Sequence, residues 1–167
     1  MVELRKITED NLSAVLALNV SENQRHHIDA GGNMAALAFA YAWTVEKIEV
    51  HAFAIHINDE AVGLMMYKNE MIDFGEEEFH DLPCYGKVVW WIDYFMIDTR
   101  HQGKGYGKLA FEKLLENIEK TAYGINEYAM IRYSADNDIV RSLYASFGFE
   151  ELFTLEDGSY ALKQLMR

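Results

Sequence analysis

Cys84 and Pro83 are the only cysteine and the only proline in 167 residues. A lone thiol forms no internal disulfide, and no Cys or His cluster has zinc-ligand spacing, so neither a disulfide nor a structural metal is expected. No apolar run reaches the length of about 18 residues that a membrane-spanning helix needs. The opening "MVELRKITEDN" also lacks the basic, apolar, small-residue order of a secretory leader, and a cytoplasmic protein is the expectation. Positive charge is scarce: 15 Lys and Arg stand against 27 Asp and Glu, a formal net charge of −12. Such a surface repels nucleic acid and anionic membrane and favours a cationic partner.

Half the residues are apolar and a quarter charged, the mix of a globular protein. Repeats, low-complexity tracts and linkers are missing, and the length suits one domain over 1–167. Val2 to Ile7 alternate as a strand. Thr8 then fits the N-cap of a helix carrying Leu12, Val15, Leu16 and Leu18 on one side. "VSENQRHHIDAGGN" breaks that pattern, and "MAALAFAYAWTV" reads as a second, mostly apolar helix. "EVHAFAIHI" and "AVGLMMYK" are strands about a turn at "NDE". The acidic stretch from residue 68 to 86 reads as a long loop or irregular insert. "VVWWIDYFMID" is the strongest strand, dense in aromatic and β-branched residues.

That strand runs into "HQGKGYGKLAFEKLLENI", where Gly103, Gly105 and Gly107 precede a helix with Leu109, Ala110, Leu114, Leu115 and Ile118 in its apolar stripe. "EYAMIRYSA" is again a strand, "NDIVRSLYASF" a helix stopped by Gly148, and "EELFTL" and "YALKQLM" a final pair about "EDGS". A strand, a glycine turn and a helix make an anion site, because first-turn amides have no partner within the helix and its dipole favours negative charge. Arg100, Lys104 and Lys108 form a basic island there. The spacing is neither the G-x-G-x-x-G of dinucleotide folds nor a P-loop, since Leu109 stands where Ser or Thr would hold magnesium.

"QGKGYG", as Gln102, Gly105 and Gly107, resembles the Q/R-x-x-G-x-G/A signature of the GNAT superfamily of acyl-CoA N-acyltransferases. Arg100, Gly103 and Gly105 satisfy the same pattern, and the placement of strand and helix favours Gln102. "NDIVRSLYASFGFEE" resembles a second family element through Asn137, Leu143, Tyr144, Gly148 and Phe149, with Val140 in place of the usual small residue. "VSENQ", "WIDYFMID" and the acidic surface look most like bacterial diamine and polyamine N-acetyltransferases. The resemblance implies an α/β fold: a central mixed, mostly antiparallel twisted sheet flanked by helices, in the order β-α-α-β-β-β-α-β-α-β-β.

It also implies acetyl transfer from acetyl-CoA to a primary amine by direct attack in a ternary complex. The acceptor would be a diamine or polyamine, or else an aminoglycoside or a protein amine. A CoA-binding sensor without catalysis is the remaining alternative, and a homodimer would be in keeping with the family. The cofactor's pyrophosphate would sit on Gly103, Lys104, Gly105, Tyr106, Gly107 and Lys108, with Gln102 in the same loop. Its pantetheine would pair with Phe95, Met96 and Ile97, and with Asn137, which also suits a helix cap. An amide of Met96 or Ile97 would stabilise the tetrahedral intermediate. Tyr144 would protonate the thiolate; without the family block its helical spacing from Val140 and Phe147 would read as core. Asp93 would orient the amine or relay its proton, unless it faces solvent or pairs with an arginine.

Adjacent His26 and His27 would not share a helix face as metal ligands. Glu22, Asp29, Glu76, Glu77 and Glu78 could attract a polycation, although charge runs are more often a solvated face. Of Trp90, Trp91, Tyr94 and Phe95, alternation sends one set to each face of the strand, so some must be core.

Overall fold

The computed structural model describes residues 1–28, 32–121 and 126–165; Asp29 and Met166 lie outside them. Seven strands form one sheet in the order β1-β2-β3-β4-β5-β7-β6. They are β1 (Val2–Lys6), β2 (Val50–Ile57), β3 (Glu60–Met71), β4 (Val88–Ile97), β5 (Tyr128–Tyr133), β6 (Glu150–Leu155) and β7 (Gly158–Gln164). The helices are α1 (Glu9–Ala17), α2 (Gly32–Val45), α3 (Glu77–His80), α4 (Tyr106–Thr121) and α5 (Asp138–Ser146). The pairs β1–β2, β5–β7 and β6–β7 are antiparallel, and β4–β5 is parallel, so the sheet is mixed. Short 3₁₀ turns, Glu22–His27 and Thr99–His101, add to the expected order, as does α3.

The chain falls into two compact units, Met1–Tyr67 with Asp93–Glu116, and Lys68–Ile92 with Asn117–Arg167. In the first, strand alternation sends Ala54, Leu64, Met66, Tyr94 and Met96 to one face, where they pack with Val15 and Leu18 and with Ala36 and Ala40 of α2. Asn33 is the polar rivet of this core. Its Nδ2 donates to the carbonyls of Val15 and Leu18, both at 2.9 Å, and its Oδ1 accepts from the Tyr94 hydroxyl at 3.0 Å. The carbonyls left open at the end of α1 are thereby satisfied. Leu12 departs from the expected inner stripe, being 38% exposed.

The second unit corrects the reading of 68–86 as a loop. β3 continues to Met71, α3 follows, and Ile72, Phe79 and Cys84 are fully buried. Phe79 sits edge-on to Phe74, Phe153 and Tyr160 with ring centroids 4.9, 5.0 and 5.2 Å away. The acidic residues around them are the solvated side of a segment held down by three apolar anchors. Burial pushes the Cys84 thiol up, away from the reactive thiolate form.

A second correction concerns α4. Ala110, Phe111, Leu114, Leu115 and Ile118 make its buried face, while Leu109 is exposed at 47%. Phe111, two residues along the helix, takes the inward position.

His56 on β2 is 4% exposed. Burial holds its pKa below the ordinary 6.5, the Arg5 charge adds to this, and the Asp59 backbone with the Glu3 and Asp59 charges opposes it. A depressed histidine pKa means that the unfolded chain takes the proton first. His56 therefore costs no stability above about pH 6.5, and stability falls as the pH drops through that value toward the folded pKa. Urea midpoints at pH 7.5 and pH 5.0 check this. A smaller loss on acidification is expected in His56→Leu than in wild type; equal losses would remove His56 as the cause.

Candidate active site

The segment between β4 and α4 is built around a buried carboxylate. Asp98, 2% exposed, accepts from the Asn19 amide at 2.9 Å, the Arg100 amide at 3.0 Å and the Arg100 Nε at 2.7 Å. Its own amide donates to the Val62 carbonyl at 2.8 Å. Burial would raise this carboxyl, but the Arg100 side chain and the Asn19 and Arg100 amides outweigh it, and the group lies below the usual aspartate range. The chain leaving β4 is thus fixed in direction. Gln102 strengthens the hold, its Nε2 donating to the Ile97 carbonyl at 2.9 Å. Lys104 Nζ donates to the Arg100 carbonyl at 2.9 Å, so Arg100 and Lys104, two of the three cations of the basic island, are bound into the turn itself.

Gly103 and Gly105 lie at φ +73° and +79°, in the left-handed region that glycine enters at little cost. A Cβ at either position would meet no atom within 4 Å, so their backbone is open to approach. Gly107 has a different duty: it stands inside the first turn of α4, with the Ile97 side chain 3.8 Å from where its Cβ would be. The sixteen-residue α4 therefore begins with the amides of Tyr106, Gly107 and Lys108 at an exposed turn. Free first-turn amides of this kind favour negative charge nearby.

On β4 the expected contacts are backbone ones, and the side chains are engaged elsewhere. Phe95 lies edge-on to Phe111, with centroids 5.3 Å apart at 85°. Met96 is buried in the core beneath α1 and α2, and Ile97 is 7% exposed. The register with β5 covers Trp90↔Ala129, Trp91↔Met130 and Ile92↔Ile131, so Asp93 and the residues after it lie outside it. Asp93 is half-buried. Trp90 and Tyr94 are buried, while Trp91 stacks edge-on to Phe74 at 5.9 Å, a core role. In the 3₁₀ turn Glu22–His27 the rings of His26 and His27 are 3.8 Å apart.

The remaining candidates belong to the second unit. Asn137 is the N-cap of α5, its Oδ1 accepting from the Val140 amide at 3.3 Å. Tyr144 is 5% exposed, with the Tyr133 ring 5.5 Å away at 65° and the Phe149 ring at 6.2 Å. Burial raises its pKa well above the ordinary tyrosine value, and the neighbouring Tyr133 adds to the effect. The phenol accordingly stays protonated through the neutral pH range. Tyr133 in turn donates to Glu151, which also accepts from Arg141 Nε at 2.9 Å. Arg141 reaches Asp138 at 2.7 Å and the Ala135 carbonyl at 2.6 Å, tying α5 to the segment before it.

Sequence reasoning missed Asp98, Gly63 and the Tyr133, Glu151 and Arg141 network. A lone glycine inside the strand "AVGLMMYK" was the available signal for Gly63, where a Cβ would stand 2.4 Å from the Met96 carbonyl oxygen. Nothing in residue type or spacing distinguishes Asp98 from a surface aspartate.

Comparison with known proteins identifies the family. A sequence model of the acetyltransferase (GNAT) family matches residues 11–149. Spermine/spermidine N(1)-acetyltransferase of Bacillus subtilis (strain 168) is 27% identical over 153 residues, covering 89% of this chain and 88% of that protein. The crystal structure of a PaiA N-acetyltransferase from Thermoplasma acidophilum in complex with coenzyme A aligns with a TM-score of 0.64 at 12% identity, covering 98% of this chain and 99% of that one. An aminoglycoside acetyltransferase, also in complex with coenzyme A, aligns at 0.68 and 21% identity, with 98% and 95% covered.

Proposed function

The chain belongs to the acetyltransferase (GNAT) family and is an acyltransferase acting on amines, and on that premise we propose acetyl-CoA as the donor and a diamine or polyamine as the acceptor. One observation carries the donor half: a rigid turn, anchored by Asp98 and Gln102, opens through two left-handed glycines onto the N-terminus of α4. Its chemistry fits a pyrophosphate, which the amides from Gly103 to Lys108 hold by hydrogen bonds and the helix dipole. The backbone of Phe95, Met96 and Ile97 lies beyond the β5 register and supplies hydrogen-bonding groups for the pantetheine amides. The Asn137 side chain adds one more polar group to the same task. Acceptor choice is supported by the relative that acts on spermine and spermidine and by the net charge of −12, which attracts polycations.

In the reaction, the neutral amine nitrogen attacks the thioester carbonyl carbon. Negative charge grows on the carbonyl oxygen, and the amide of Met96 or Ile97 stabilises it. The carbon–sulfur bond then breaks, Tyr144 gives its proton to the departing thiolate, and the proton that the acylated nitrogen loses returns through water to the Tyr144 oxygen. A free thiol has a pKa of about 8.5 against about 10 for an ordinary phenol, so the transfer is uphill by itself and is completed by the return of the nitrogen's proton to the Tyr144 oxygen. The phenol stays protonated until thiolate is produced. Asp93 orients the acceptor ammonium and relays its proton through water.

Asp93→Asn is expected to lower kcat/KM for the amine about 10- to 100-fold, leaving KM for acetyl-CoA within about twofold. Initial rates with each substrate varied in turn check this. Wild-type amine kinetics in the variant would remove Asp93 from the mechanism. The acceptor class is tested with an amine panel read by CoA release; turnover confined to aminoglycosides or peptides would keep the chemistry and reject the polyamine.

A further inference from the structure

Protonation of the thiolate falls to Tyr144, and the main chain fixes only the base of that side chain. Where α5 ends, the Tyr144 carbonyl accepts from the Phe147 and Phe149 amides at 3.0 and 3.1 Å. The ring still turns about its own torsions, so the groups packed against it set where its hydroxyl points. The Phe149 ring lies 6.2 Å away, and the Tyr133 ring is closer, at 5.5 Å and 65°, in an edge-to-face arrangement.

Tyr133 is held at both ends. Along the main chain, β5 pairs it with Ser159 of β7, and the neighbouring Gly158, at φ +145°, comes so close that a Cβ there would stand 2.6 Å from the Tyr133 carbonyl oxygen. At the other end, the Tyr133 hydroxyl donates to the Glu151 carboxylate of β6. Glu151 also accepts from Arg141 Nε at 2.9 Å, and Arg141 is fixed in turn by Asp138 at 2.7 Å and by the Ala135 carbonyl at 2.6 Å. Arg141 stands three residues before Tyr144 on α5. A closed loop of contacts thus leaves α5 through Arg141, passes Glu151 and Tyr133, and returns to α5 at the Tyr144 ring.

Folding stability does not explain this loop. The Arg141 and Glu151 side chains are 38% and 41% exposed, and ion pairs so exposed contribute little. What they add is direction. A carboxylate locked by an arginine gives the Tyr133 hydroxyl one place to point, and the ring that faces Tyr144 one orientation. Burial and the bond to Glu151 both push the Tyr133 phenol up, so it stays neutral and goes on donating.

We propose that Tyr133, clamped by Glu151 and Arg141, is a positioning residue that aims the Tyr144 hydroxyl for proton transfer. The inference rests on the reading of Tyr144 as the general acid. Tyr133 keeps its own proton throughout, on the bond to Glu151.

Steady-state rates of the full chain with acetyl-CoA and the amine of the panel that turns over fastest test this. Tyr133→Phe keeps the ring and releases its anchor; kcat is expected to fall about 10-fold, with KM for both substrates within about twofold. Glu151→Leu is expected to reproduce that fall, and Glu151→Gln, which retains an acceptor for the hydroxyl, to recover most of it. In the Tyr144→Phe background, Tyr133→Phe is expected to change kcat by less than about twofold, because nothing is left to aim. Urea unfolding establishes that each variant is folded under assay conditions. The proposal is overturned by wild-type kcat in Tyr133→Phe, by a 10-fold fall that recurs in the Tyr144→Phe background, or by an equal loss in Glu151→Gln and Glu151→Leu; each of these leaves Tyr144 as the acid. Wild-type turnover in Tyr144→Phe itself would overturn the general-acid reading and this inference with it.

Discussion

Tyr144→Phe is expected to lower kcat by about 10²- to 10³-fold while the dissociation constant for acetyl-CoA changes by less than about twofold. The size follows from the step removed. Expulsion of the thiolate without a proton donor leaves its charge unneutralised, and general acids typically contribute in this range. The specificity of the effect follows from packing. Phenylalanine keeps the edge contact to Tyr133 at 5.5 Å and the contact to Phe149 at 6.2 Å, so the core of α5 is retained. A role in packing alone predicts unchanged turnover. The pH profile offers a second readout: burial holds the Tyr144 phenol above its ordinary pKa, so the wild-type rate is expected not to fall on the alkaline side until beyond about pH 10. An alkaline fall near pH 8 that Tyr144→Phe leaves in place would assign that limb to another group.

Gly63→Ala is expected to be strongly destabilising. An added Cβ would stand 2.4 Å from the Met96 carbonyl oxygen, 2.9 Å from the Ile55 Cδ1 and 3.0 Å from the Ile97 Cδ1. The side chains could turn aside, but the Met96 carbonyl belongs to β4 and moves only with its strand. Overpacking of this kind costs about 1–3 kcal/mol where side chains yield and more where backbone must shift. A loss of about 4 kcal/mol or more is therefore expected in urea unfolding at pH 7.5. Whatever fraction folds is expected to show raised KM for acetyl-CoA, because the displaced backbone is the Met96 and Ile97 segment assigned to the pantetheine. A loss below about 1 kcal/mol would mean that the two strands have slack at this point.

How far the molecule was legible follows from how local each signal is. The passage from β4 through the glycine turn into α4 could be read directly, because aromatic density, left-handed glycines and helical periodicity all act within a few residues. Asn137 could likewise be placed as a cap from its type and position. The stretch from 68 to 86 could not, since three anchors, Ile72, Phe79 and Cys84, are outnumbered by acidic neighbours and reveal themselves only by their burial. Leu109 misled for the opposite reason: leucine is apolar, but Phe111 occupies the inward direction. Within the candidate site, the groups named from pattern were those that belong to short motifs. Asp98, Gly63 and the Tyr133 and Glu151 pair escaped because their partners are distant in sequence, as with the Asn19 amide 79 residues from Asp98. Residue type alone carries no record of such pairings.

The most direct test of the account is release of free CoA from acetyl-CoA by the full chain, measured in parallel with spermidine, spermine, putrescine, aminoglycosides, amino acids and short peptides. Turnover with the polyamines, lost in Tyr144→Phe and weakened in Asp93→Asn, is the expected result. Binding of acetyl-CoA with no turnover on any polyamine, and turnover on another amine class, would contradict it.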